Sequence, residues 1–200
     1  MANENLYIVK RTFFNPRDPA EQSYNVIVPA TCTDLHVAKK EARMALGREG
    51  YEPDFFSLYD VKNDCDQWKH GDGVVVYAKG PDAEVLTVTI DTIPNTGGLH
   101  AGSSGRVEGP LYHVLQTIVE YNDDRSGSSR SVIAEGVHTR QDLAREQASR
   151  TLLDDSTKKD DYVEYDEYLG STEGPFGADT LVHAVREDGR NILVSVVLGN

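Results

Sequence analysis

The chain is 200 residues long, 38% hydrophobic, and carries 20 basic against 33 acidic side chains, for a net charge of −13. That length fits one or two domains, and the apolar share suffices for a core. The acidic balance opposes binding to nucleic-acid phosphates and to anionic membranes, and no apolar run approaches the ~20 residues that cross a bilayer.

"MANENLYIVK" lacks the basic start and apolar stretch of a secretory signal. Cys32 and Cys65 belong to no CxxC pair and read as free thiols of a reducing compartment. The expected location is therefore cytoplasmic. A soluble acidic surface is the plain reading of the charge; the sharper one is an acidic decoy for a basic partner.

"NLYIVKRTFF" is rich in β-branched and aromatic residues and predicts a first strand. "NPRDPAEQ" has turn chemistry and leads to a second strand at "SYNVIVPA", so the pair reads as a hairpin. Val37, Ala38, Glu41, Ala42, Ala45 and Leu46 then trace one stripe at helical spacing, with Thr33 or Asp34 placed to cap it. Three strands follow, at "DFFSLYDV", "GVVVYAKG" and "AEVLTVTIDT". Residues 1–95 thus predict a ββαβββ unit. "PNTGGLHAGSSGRVEGP" is rich in Gly and Ser, and residues 96–110 read as a flexible linker.

From Leu111 the chain repeats its own opening. Leu6-Tyr7 falls on Leu111-Tyr112 at an offset of 105. At 106, Ala38, Ala42 and Leu46 fall on Ala144, Ala148 and Leu152, and "FSLYD", ending at Asp60, falls on "YVEYD", ending at Asp166. Residues 111–200 predict a second ββαβββ unit, with its helix stripe at Leu143, Ala144, Gln147, Ala148, Thr151 and Leu152. Thr139 and Asp142 have the spacing of a capping box, and Gly189 suits a tight turn between the last two strands. The fold class is therefore α+β: a tandem duplication of antiparallel sheets, each covered by one helix. Apolar residues of both parities in the opening strands imply that both sheet faces need cover. The expected solution is that the repeats pack as a pseudo-dimer, or that the chain forms a homodimer.

No GxSxG, HExxH, P-loop or GxGxxG motif is present. The glycines of "GGLHAGSSG" lead into a strand rather than a helix, so they do not make a phosphate loop. The six histidines show no i, i+2 or i, i+4 pairing, and neither a metal nor a cofactor is expected. His113 and His183 fall in predicted strands and read as structural or surface residues.

"DCDQWKHGDG" is the most unusual stretch, holding the sole Trp, Trp68, beside His70 and acidic groups. Such a loop can hold a small ligand, or simply fold its Trp over the sheet edge. The matching loop of the second copy, "GSTEGPFGAD", offers only Phe176, so no functional dyad is expected in both copies. The Tyr59-Asp60 and Tyr165-Asp166 pairs do recur. With the tyrosines facing the helix, Asp60 and Asp166 occupy equivalent places on the other face, either as solvated acids or as an acid/base pair meeting at an interface between repeats.

"YNDDRSGSSRSVIAEGVHTRQDLAREQASRTLL" with "DYVEYDEY" resembles small uncharacterised fungal proteins that share the strand, acidic loop, strand, helix plan. The resemblance covers most of the second copy and less of the first, and it implies an architecture but no activity. The leading functional expectation is a non-catalytic binding or protein-interaction module, with a protein partner or a small-molecule ligand. The alternative is an enzyme or small-molecule binder with its site in the cleft between repeats, using Trp68, His70, Asp60 and Asp166.

Overall fold

The computed structural model describes residues 4–17, 24–63, 67–121, 129–169 and 175–199. Two compact units divide between Gly109 and Pro110. Each is a five-stranded antiparallel sheet with one helix, so the α+β tandem duplication is the fold. Among the described residues no helix is long and apolar enough to cross a membrane.

In the first unit the elements are β1 (Asn5–Phe14), β2 (Tyr24–Cys32), α1 (Leu35–Arg48), β3 (Leu58–Val61), β4 (Val74–Lys79) and β5 (Val85–Pro94), with sheet order β2-β1-β5-β4-β3. In the second they are β6 (Leu111–Val119), β7 (Arg130–His138), α2 (Gln141–Arg150), β8 (Glu164–Glu167), β9 (Thr180–Val185) and β10 (Asn191–Gly199), ordered β7-β6-β10-β9-β8. The helix of each unit joins its two edge strands, and the first and last strands meet in the middle. Pro29 lies in β2, an edge strand, where its missing N–H need not break the ladder.

The alanine stripes explain the layering. Ala38, Ala42 and Ala45 are fully or almost fully buried, as are Ala144 and Ala148, which brings each helix close to its sheet. Val9, Ala30, Val76 and Val88 form the sheet side of the first core. Val114, Val182, Ala184 and Val194 do the same in the second. The opposite parity is buried too at Leu6 and Ile8 in β1 and at Leu111 and Leu115 in β6.

Several details depart from the sequence reading. The stretches expected to be continuous strands at "DFFSLYDV" and "DYVEYDEYL" begin instead near one-turn 3₁₀ helices, Pro53–Phe55 and Lys159–Asp161. Pro53 starts the first turn, and its fixed φ favours that entry. Asp34 caps α1 by accepting from the Val37 amide at 2.9 Å. The Thr139–Asp142 capping box does not form, because α2 starts one residue later with Arg140 at its cap, and the Asp142 carboxylate is taken by the Arg140 guanidinium. Leu143 is 40% exposed rather than part of the core stripe. The hairpin loops expected at "NPRDPAEQ" and "NDDRSGS" lie wholly or partly outside the described residues.

Residues 96–109 are not a free tether. They belong to the first unit, where Val107 donates its amide to the Thr31 carbonyl at 2.8 Å and Cys32 bridges to Arg106. The Asn95 side chain closes the entry turn through two bonds to the Leu99 backbone, at 2.8 and 2.9 Å. Arg106 donates to the Pro29 carbonyl at 2.9 Å and stands 3.5 Å from the buried Glu41, which also pairs with Arg48. The hydrogen bond and charge of Arg48 hold the Glu41 carboxyl below its ordinary range despite burial. Gly105 adopts φ +79°, and a Cβ there would come within 2.8 Å of Val37. Composition alone favours flexibility here, but specific tertiary contacts override it.

Candidate functional site

β3 and β4 pair with Asp60 opposite Tyr77, which puts carboxylate and phenol ring side by side on one face. Tyr59 points the other way, into the helix-side core, where its ring stacks on Phe56 at 5.5 Å. The loop between the two strands folds back over that Asp60–Tyr77 pair. Its His70 ring lies flat on Tyr77, with centroids 4.0 Å apart and planes 9° from parallel. From there the His70 Nε2–H donates to Asp60 Oδ2 at 2.7 Å. The carboxylate can only accept, so this contact fixes the proton on Nε2. Trp68 meets the edge of His70 at 4.8 Å, and its indole N–H donates to the Gly71 carbonyl at 3.1 Å. Gly71 has φ +92°, the left-handed conformation that lets the loop reverse there. Lys69 Nζ stands 3.8 Å from the same Asp60 oxygen.

Trp68, His70 and Asp60 are therefore assembled into one constellation. It borders an open depression of about 440 Å³ lined by Asp60, Asn63, Gln67, Trp68, Lys69 and His70, with Tyr59 and Val61. Asp64, Cys65 and Asp66 of that loop lie outside the described residues.

Asp166 stands at the equivalent place in β8, opposite His183 of β9. Phe176, from the loop between these strands, packs on the His183 ring with centroids 4.5 Å apart. The second unit thus keeps the plan of the first with two rings exchanged. In the first, a loop imidazole lies on a strand phenol. In the second, a loop phenyl lies on a strand imidazole. Both units bring an imidazole to the aspartate, at 2.7 Å for His70 and 3.8 Å for His183.

By residue type the second loop offers only Phe176 and His183 reads as a structural or surface residue, whereas the structure sets His183 beside Asp166 and against Phe176. The signal was nonetheless present. The offset of 106 that aligns Asp60 with Asp166 carries His70 onto Phe176 and Tyr77 onto His183. Asp60 and Asp166 each pair within their own unit.

One further groove lies between α1 and the sheet of the first unit, rimmed by Lys39, Arg43 and Lys62 over Val75 and Ile90. At about 170 Å³ it is smaller than the ~300 Å³ at which small-molecule pockets usually begin. The buried Lys10 pairs with Asp91 at 2.5 Å, and burial lowers the affinity of its amine for a proton. Burial likewise pushes the Cys32 thiol up to about 11, which leaves it unreactive as a thiolate near neutrality.

No family model matches the chain, and no curated protein or solved structure is significantly similar to it.

Proposed function

We propose that this chain is a non-catalytic binding module, and that the depression beside Trp68 takes a small polar ligand with a planar face. The carrying observation is the pre-built set of Asp60, His70, Tyr77 and Trp68, in which each member is held by another before any ligand arrives. Such a set offers an aromatic edge and carboxylate, amide and ammonium groups at little ordering cost. Asn63 and Gln67 supply donors and acceptors around the indole. The described lining residues include no Ser, Thr or Cys to act as an activated nucleophile.

Because Trp68 is the sole Trp, its emission reports this site directly. The test titrates the full chain with planar polar fragments, nicotinamide and uracil among them, at millimolar concentration. Saturable emission changes are expected, and they should vanish in His70→Phe, which keeps a ring on Tyr77 but removes the bond to Asp60. Silence across the panel, or equal binding by His70→Phe, overturns the reading.

One observation favours a second reading. An aspartate that fixes the tautomer of an imidazole is also the orienting half of a general-base pair. Turnover of a bound fragment that is abolished by Asp60→Asn would select that reading over simple binding.

A further inference from the structure

We propose that Glu164, Asp166 and His183 of the second unit form a binding site for a divalent first-row transition-metal ion, of which zinc is the reference case. The three side chains share one face of the β8–β9 edge, since Glu164 and Asp166 are two residues apart and His183 lies opposite Asp166. One ligand atom from each lies within 4.8 Å of the others.

The imidazole carries the argument. His183 is 5% exposed, and its Nδ1 makes no hydrogen bond among the described residues. Its other nitrogen, Nε2, meets Asn191 Oδ1 at 3.0 Å. The Asn191 amide is oriented by its own Nδ2–H, which donates to the Gly189 carbonyl at 3.3 Å. With Oδ1 turned to His183, the imidazole must donate from Nε2. In the neutral ring, Nδ1 is then a bare lone pair facing carboxylate oxygen, with Asp166 Oδ2 at 3.8 Å. A buried acceptor that faces a carboxylate oxygen with no donor of its own is unfavourable unless a cation joins the two. An imidazole whose far nitrogen is fixed by an oxygen acceptor is also the usual arrangement around a metal-bound histidine.

The first unit serves as an internal control. At the same offset it has Leu58 for Glu164, Tyr77 for His183 and Val85 for Asn191. All three substitutions that would create a ligand set occur together in the second unit, and the scaffold itself does not need them. Ligand atoms around a tetrahedral ion with bonds of ~2.0–2.2 Å lie roughly 3.4 Å apart. Closing from the present spacing takes small rotations of two carboxylates. Glu164 is exposed and the Asp166 side chain is 46% exposed, so both can move while His183 stays fixed. One imidazole nitrogen with two carboxylates suits zinc, manganese or iron(II) better than calcium or magnesium, which take oxygen ligands. Phe176 on the His183 ring shields one side of the site.

The test uses the full chain, stripped with chelator and titrated with zinc chloride by calorimetry. One equivalent should bind. Glu164→Gln with Asp166→Asn should weaken that binding by about 100-fold or more, beyond the ~10–100-fold loss expected for Asn191→Leu, which removes only the orienting partner. Glu164→Leu, which copies the first unit at an exposed position, keeps the test independent of folding. In parallel, the ¹⁵N shift of His183 Nδ1 should move on adding zinc, and it should not move in the double variant. Absence of one-equivalent binding, undiminished binding by the double variant, or a His183 Nδ1 shift unmoved by zinc would each overturn the proposal.

Discussion

His113 sits in β6 with no solvent exposure, and the cost of burying its charged form pulls its pKa from the usual 6.5 down to about 4. Backbone hydrogen bonds from the ring to Leu111 and Val197 act the other way and are outweighed. The folded value is the lower one, so the unfolded chain binds the extra proton between the two values. Stability is full above pH 6.5, falls as pH drops toward 4, and levels off below that. At pH 5 the unfolded imidazole is almost wholly charged and the folded one almost wholly neutral, which corresponds to a loss of about 2 kcal/mol relative to pH 8. His113→Gln cannot titrate. The pH 8 to pH 5 loss, read by urea unfolding, should therefore be about 2 kcal/mol smaller in the variant than in the parent. An NMR titration of the ring should place its midpoint far below 6. A midpoint near 6.5, or equal pH dependence in parent and variant, would refute the reasoning.

Two other substitutions test the packing. Ala42→Leu and Ala148→Leu should each overpack a helix against its sheet and cost about 1–3 kcal/mol, seen as a lower melting temperature; unchanged melting of both would contradict the close layering. Gly105→Ala meets both a positive φ and the Val37 side chain, so it should cost about 1–3 kcal/mol and raise amide exchange at Val107. If Val107 exchanges no faster, the segment is not held by that turn.

Periodicity and repetition made most of the fold readable. Alternating apolar residues located the strands, and the stripes through Ala42 and Ala148 located both helices on their buried faces. What escaped depends on partners distant in sequence. Thr139 has the spacing of a cap, but the competing Arg140–Asp142 pair and the later helix start decide the terminus. Nothing local in "HAGSSGRVEG" reveals that Arg106 reaches Pro29 and Glu41. The candidate sites were half legible. Asp60 and Asp166 stood out because they repeat, and Trp68 and His70 because the loop is unusual. His183 did not, because its role arises from a ring exchange between loop and strand. Matching residues by type hides that exchange, and matching them by position shows it.

The pairing of each unit's first strand with its last also governs how the protein is made. β1 bonds along its whole length to β5, from Asn5 opposite Pro94 to Phe14 opposite Val85. During synthesis at ~5–20 residues per second, roughly 4–14 s separate the emergence of these partners from the ribosome. For that interval Leu6, Ile8, Val9 and Val28 of β1 and β2 lack β5, the strand that joins them to β4 and β3, even after α1 has emerged. The nascent chain is therefore most open to chaperone capture and to misassociation between neighbouring polysome products before β5 appears, and slowing translation across residues 58–85 lengthens that exposure.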